Sequence, residues 1–200
     1  MKTLRWFVLA AACLAMASLS FAQSVDAYIG LGTLMTKASS QADFGVPKLG
    51  GGAYLNAGGD LIFLPHNLGL GAAVQWRASQ SDFFGQGLRP VLYSFNLAWE
   101  PVPPGVSVRP DFAVGFGAEN LRFYNGSYTC GVFSCSDHTS INHVLLHAGV
   151  GLKIYWGEHL FLRPAVDYYN VRHNYIDQAP EVPSAWQAGI SIGYTLGPSS

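Results

Sequence analysis

The sequence predicts an all-β protein, an eight-stranded antiparallel up-and-down transmembrane β-barrel, from three observations. Bulky apolar residues alternate with small or polar residues along most of the chain, as they do in strands with two different faces. Turn-forming residues divide the chain into eight such stretches, and the connections between them are alternately short and long. Charged residues make up 12% of the sequence, whereas a soluble surface typically carries about 25–35%.

The eight predicted strands form a meander. An even number of strands lets the sheet close without an exposed edge and leaves both termini on the short-turn side, as expected in a membrane barrel. The predicted strands are 25–35, 51–63, 68–79, 89–100, 106–123, 142–156, 160–173 and 186–196. The short turns are near Pro65, Pro101 and Gly157. The long connections are 36–50, 80–88, 124–141 and 174–185.

Residue size indicates which face of the barrel looks outward. A soluble barrel such as a lipocalin also alternates, but its apolar face is inside. In the stretch 68–79, Leu70 and Trp76 share one face, whereas Gly69 and Gly71 share the other. Small residues suit a narrow lumen and bulky uncharged residues suit lipid, so the sequence favours the membrane arrangement.

The charged residues of the strands fall mainly on the small-residue face. Eight strands leave an interior only wide enough for side chains, and buried charges must be paired or hydrated. The mixed signs predict a salt-bridge and water network that keeps the barrel rigid, and a narrow gated ion path is the alternative. The predicted lumen charge network contains Asp26, Asp60, Arg77, Glu100, Arg109, Asp111, Glu119, Lys153, Arg163 and Asp167.

Aromatic residues fall near both ends of the predicted strands. Two such belts are expected where a spanning barrel meets the membrane–water interfaces, although strands favour aromatic residues in any case. The residues predicted for the short-turn rim are Phe63, Trp99, Trp156 and Tyr194. Those predicted for the long-loop side are Trp76, Tyr93 and Trp186.

The N-terminus has the pattern of a cleaved signal peptide. A basic start at 1–5 precedes an apolar run at 6–17 that is too short to span a bilayer, and a small-x-small cleavage site ends at Ala22. We expect a signal peptide at 1–22 and one barrel domain at 23–200. Cys13 leaves a lipoprotein signal as the alternative, with Ala10 at a position where Leu is usual.

Two cysteines remain after the predicted cleavage site, Cys130 and Cys135, and they predict a disulfide. An exported chain meets an oxidising compartment, where cysteines close in sequence tend to pair. A metal site with His138 is the alternative, but two thiolates and one histidine are an incomplete zinc set. His143 and His147 lie about 13 Å apart on a strand, too far for one ion. No metal site and no cofactor are therefore predicted.

A catalytic alternative comes from the segment around residue 139. His138 and Ser140 have the His-x-Ser spacing that resembles barrels of the lipid A deacylase type, and Asn142 follows closely. A nucleophilic serine needs a base within about 3 Å and an orienting acid, and Asp137 is a neighbour in sequence alone. We place this segment at the end of the cysteine-bearing loop and predict no catalytic residues.

The last strand resembles the C-terminal sorting strand that the outer-membrane assembly machinery reads, with residues 195–200 extending past its final aromatic residue. The residues that carry this signature are Gln187, Gly189, Ile192 and Tyr194. The segments 55–60, 74–79, 115–119, 161–164 and 191–196 together resemble bacterial outer-membrane β-barrel domain proteins of the OmpA transmembrane domain and OmpX kind.

This resemblance implies a location in the outer membrane, with its lipid, lipopolysaccharide and the assembly machinery as partners, and we expect a monomer. The net charge of −1 gives no basic patch for nucleic acid. The expected role is non-enzymatic, either envelope integrity or surface interaction through loops 36–50 and 124–141, whose ligand is unknown. The alternatives are a narrow ion or small-solute channel and a lipid A-modifying enzyme.

Overall fold

The computed structural model describes residues 24–36, 49–83, 85–130, 135–172 and 184–197. Within these ranges no helix is long and apolar enough to cross a membrane. The predicted signal peptide at 1–22 lies outside the described residues, as do 37–48 and 173–183 of two predicted loops. The strand segments are β1 (Ser24–Thr36), β2 (Ala53–Leu64), β3 (Leu68–Arg77), β4 (Ser81–Phe83), β5 (Gln86–Trp99), β6 (Val108–Cys130), β7 (Cys135–Trp156), β8 (Leu160–Arg172) and β9 (Ser184–Leu196).

Eight of these nine segments close into one antiparallel barrel. Strands that follow one another in sequence are paired, β1 pairs with β9, and β3 bypasses the three-residue β4 to pair with β5. Every long strand therefore has a partner on both of its edges, which removes the open edge that lipid could not satisfy. The predicted fold class is confirmed.

The short turns bring consecutive strands back at one end of the barrel. Between β2 and β3 the chain makes a single turn of 3-10 helix, Pro65–Asn67, in which His66 and Asn67 have positive φ angles of 62° and 58°. Gly157, between β7 and β8, has a φ of 74°, a left-handed conformation that glycine adopts without a steric penalty. Both chain ends of the barrel, at β1 and β9, lie on this same side.

The prediction that residues 124–141 form a loop is wrong. β6 continues to Cys130 and β7 begins at Cys135, so this connection is the tip of a long β-hairpin. Between Tyr124 and Thr129 the register shifts, because β6 advances five residues while β7 advances two. The connection 80–88 also contains a short hairpin, in which β4 pairs with the start of β5.

The two faces of the sheet differ as residue size predicts. Bulky residues such as Phe95, Phe116 and Val144 point outward and are 60%, 65% and 62% exposed. Residues between them on the same strands, such as Ser94 and Leu145, are buried inside the barrel. The buried charged groups of the described strands therefore lie in the interior, which forms the candidate site.

Candidate functional site in the barrel interior

A buried lysine at the short-turn end of the barrel holds three carboxylates together. Lys153 is fully buried, and its Nζ donates to Asp26, to Glu100 Oε1 at 2.5 Å and to Asp60 Oδ2 at 3.4 Å. Asp26 and Asp60 are directly opposite each other on β1 and β2, where two like charges would repel. Lys153 comes from β7 across the barrel and offsets this repulsion.

A second ion pair, between Arg163 and Asp111, lies next to this cluster. Arg163 donates to Asp111 Oδ2 from Nε at 2.9 Å and from Nη2 at 2.5 Å, and its guanidinium lies 4.9 Å from the ring centre of Tyr28. Gly151 makes room for the pair, because a Cβ at this position would meet Asp111 and would lie 2.9 Å from Arg163 Nε. The small residues of the inner face thus leave space for specific charged partners.

A histidine network continues the polar interior at mid-height. His147 lies between Asn96 Oδ1, 2.7 Å from Nδ1, and Asp167 Oδ1, 3.1 Å from Nε2. Its ring stacks on Tyr169 at a centroid distance of 4.9 Å. The Tyr169 hydroxyl in turn contacts the Gln75 amide. A small polar cavity is lined by residues of this network and of the two ion pairs.

Seven of the ten predicted network residues belong to the lysine cluster, the arginine ion pair or the histidine network, and the other three lie in other parts of the interior. Arg109 is buried at the short-turn end, where it donates to the Val106 carbonyl at 3.2 Å and stacks over Tyr155. Arg77 and Glu119 lie towards the long-loop end, where in register Arg77 faces Tyr54 and Glu119 faces Leu92. The charged interior is therefore divided into separate groups.

An apolar cluster fills the interior on the long-loop side, and the sequence analysis did not predict it. Its members are inward-facing residues near the long-loop ends of most strands. We call this cluster the apolar plug. Tyr54 anchors it to the chain before β2 by donating to the Leu49 carbonyl at 2.6 Å. The plug consists of Leu34, Leu49, Tyr54, Leu88, Leu92, Leu121, Leu145, Tyr169, Val171 and Ala185.

The outward face between the two barrel ends is apolar and uncharged in the described strands. The aromatic residues predicted for the girdles lie on this face: Trp156, Trp99 and Tyr194 are 60%, 43% and 46% exposed near the short turns. Trp186 and Tyr93 are 51% and 39% exposed at the other side, while Phe63 and Trp76 are partly covered. A surface of this kind is suited to acyl chains and not to water.

The remaining predicted residues fall in three places. Of the sorting strand, Gln187 is buried, Gly189 faces inward, and Ile192 and Tyr194 face outward. Cys130 and Cys135 are directly opposite each other in strand register, and their side chains lie outside the described part of the structure. Among the described residues no group of three histidines, cysteines or carboxylates could hold a metal ion.

The segment with His-x-Ser spacing was predicted at the end of a loop, and this is wrong. His138 and Ser140 lie on β7, opposite Tyr124 and Arg122 of β6, and Ser140 is exposed. The orienting acid of a triad contacts the base, and the residue opposite His138 is Tyr124. The described neighbours on β6 provide no carboxylate for a catalytic triad.

No family model matches the chain, and no curated protein matches it either. Solved structures do. The N-terminal β-barrel domain of OprF from Pseudomonas aeruginosa is 17% identical with a TM-score of 0.54, and the match covers 88% of this chain and 98% of that one. The fold is that of the small bacterial outer-membrane barrels.

Two further outer-membrane barrels show the same fold. Neisserial surface protein A is 9% identical with a TM-score of 0.55, and the match covers 88% of this chain and 96% of that one. OprG from Pseudomonas aeruginosa is 14% identical with a TM-score of 0.55, covering 88% and 97%. The resemblance to small barrels of the OmpA and OmpX kind is therefore confirmed for the fold.

Proposed function

We propose that this chain is a closed, non-enzymatic barrel of the bacterial outer membrane that acts in envelope integrity or surface interaction through its long-loop side. The observation that carries the proposal is the interior, in which an apolar plug lies above paired charges. The bulky apolar residues of the outward face and the fold shared with outer-membrane barrels support the location.

The plug argues against a conducting lumen. An ion that crosses the barrel from the short-turn side meets paired charges first, and it must then pass the level of the plug, where the leucine side chains are at most 2% exposed and the neighbouring Glu119 is itself fully buried. Transfer of an unpaired ion into such an apolar region costs far more than thermal energy, and hydrophobic constrictions close pores by excluding water. The interior thus supports a rigid scaffold.

Among the described strands, those of the β6–β7 hairpin project furthest. It continues as a paired ladder to Cys130 and Cys135, with its own register shift, beyond the level at which the other described strands end. A backbone that is already paired in a hairpin loses less conformational entropy on binding a partner than an open loop does. We therefore assign surface interaction to this hairpin together with loop 36–50.

Conductance in planar bilayers tests the closed lumen. We expect no discrete current steps from the wild-type protein and steps from a variant in which Leu92, Leu121 and Leu145 are replaced by Ser. Heat-modifiable gel mobility serves as the control that both proteins are folded barrels. Regular steps from the wild type that disappear in Arg77→Gln or Glu119→Gln would establish the channel instead.

Cell fractionation tests the location. The processed protein should be found with the outer membrane and should need detergent for extraction, because its outward face between the two barrel ends is bulky and apolar. The same sample should shift in gel mobility on heating, as closed barrels do when they unfold. Recovery in the soluble periplasmic fraction without detergent would contradict the proposal.

A further inference from the structure

Two arginines face outward directly above the apolar surface of the barrel. Arg89 of β5 and Arg122 of β6 are opposite each other in register, and both are partly exposed on the side that carries Phe95 and Phe116 lower down. Like charges directly opposite on neighbouring strands destabilise a sheet unless something neutralises them. Within the described residues no carboxylate lies within 4.0 Å of either guanidinium.

The surroundings of the pair hold it in place without neutralising it. Arg122 Nε donates to Asn120 Oδ1 at 3.1 Å, and Asn120 Nδ2 donates to Asn142 Oδ1 at 2.7 Å. Arg89 lies 5.9 Å from the ring centre of Tyr124. Asp82, near the β4–β5 turn, accepts a bond from the Gly85 amide at 3.3 Å and makes no ion pair with Arg89. Among the described residues, the pair is thus positioned by neutral groups and has no carboxylate as a counter-charge.

The height of the pair matches the headgroup region of a membrane. Ten residues separate Arg89 from Trp99, and ten separate Arg122 from Phe112, which packs on Trp99 at a centroid distance of 5.4 Å. Ten residues of a strand span about 33 Å, or about 25 Å along the axis of a barrel whose strands tilt by about 40°. This equals the height of the apolar band in outer-membrane barrels, about 25 Å, so the arginines lie at its upper edge.

We propose that Arg89 and Arg122 form a binding site for the phosphate of a phosphorylated lipid headgroup in the outer leaflet. This inference rests on the proposed membrane location. The two guanidinium groups present paired N–H donors whose geometry matches phosphate oxygens. A lipid whose acyl chains lie against Phe95 and Phe116 would have its phosphate at the level of the two arginines. A bound phosphate also removes the repulsion between the two opposed cations.

The test compares lipids that differ in phosphate alone. The full-length mature protein is purified in detergent and incubated with lipid A carrying two phosphates or with chemically dephosphorylated lipid A, and retained lipid is counted by native mass spectrometry. Two arginines at about 1 kcal/mol each predict a preference for the phosphorylated form of about thirty-fold, which falls as salt is raised. Equal retention of the two lipids by the wild type would overturn the inference.

Variants assign the preference to the pair. The double variant Arg89→Gln, Arg122→Gln should remove most of the preference for phosphorylated lipid. Arg122→Lys should keep part of it, because lysine retains the positive charge but cannot donate two parallel hydrogen bonds to a phosphate. Ser140→Ala, an uncharged change on the same face opposite Arg122, is the matched control and should leave the preference intact. A double variant that is folded by gel mobility and still prefers the phosphorylated lipid would refute the assignment.

Inorganic phosphate separates a lipid site from a simple anion site. At millimolar concentration it should not displace phosphorylated lipid A, because the acyl chains add apolar contact that free phosphate lacks. Displacement at that concentration would show an anion site without lipid specificity and would overturn the lipid assignment. Failure of the barrel proposal itself would be seen independently, as loss of membrane fractionation.

Discussion

Removal of the Lys153 charge is the sharpest test of the buried ion cluster. In Lys153→Met, the carboxylates of Asp26 and Glu100 remain in the interior, where their side chains are 1% and 5% exposed. Breaking a buried ion pair by removing one partner typically costs about 3–5 kcal/mol, since the remaining charge is left uncompensated. Two close carboxylates depend on this lysine, so we expect a loss at the upper end of that range.

The assay is equilibrium unfolding of the detergent-folded barrel in urea, followed by tryptophan fluorescence. A triple variant that adds Asp26→Asn and Glu100→Gln to Lys153→Met should recover much of the loss, because the two closest carboxylates are then neutral and the remaining one, Asp60, is the least buried of the three at 10% side-chain exposure. Glu158→Gln is the control, since Glu158 is 77% exposed in the neighbouring turn and should not change the unfolding free energy measurably. A loss below about 1 kcal/mol in Lys153→Met would refute the reasoning.

Three further predictions concern other parts of the barrel. Gly151→Ala should destabilise by about 1–3 kcal/mol in the same urea assay, because its Cβ meets the Arg163 ion pair; an unchanged midpoint would contradict this. Cys130 and Cys135, opposite in register, should resist alkylation until a reductant is added, whereas rapid labelling of the untreated protein would exclude a disulfide. Expression should leave the mass of lipid A unchanged, and a change lost in Ser140→Ala would establish the enzyme instead.

The alternation of residue size carried most of the information about the fold. On β5, Tyr93 and Phe95 against Ser94 and Asn96 already separate the outward from the inward face, and the structure has the same separation. The assignment of residues to the two faces follows from the two-residue repeat of a strand, which can be read from the local sequence. Closure into a barrel then follows from the even number of strands and from the need to satisfy every edge in lipid.

The partners inside the barrel could not be predicted in this way. Lys153 and Asp26 are 127 residues apart and meet only because strand tilt and stagger fix which levels face each other across the interior. The apolar plug was missed for a related reason. Leu92 and Leu145 each look like a single exception among small residues on one strand, and only closure shows that they meet.

The projecting β6–β7 hairpin was missed because its composition is that of a loop. Residues 125–136 are rich in Gly, Ser, Thr and Cys, which have weak strand signals on their own. Pairing with the opposite strand provides the missing stabilisation, and that pairing is set by the rigid barrel below it. Whether a segment forms a strand therefore depends on the strands that it pairs with as well as on its own sequence.

The register shift above Tyr124 has a consequence for how this protein can change over evolution. Below it, inserting one residue would turn every following side chain to the opposite face and place charge against acyl chains. Above it, the paired segments of β6 and β7 already differ in length. Residues can therefore be gained or lost there while the side chains of the strands below keep their orientation. Sequence variation among related proteins should therefore accumulate at this tip, and the strands below it should vary less.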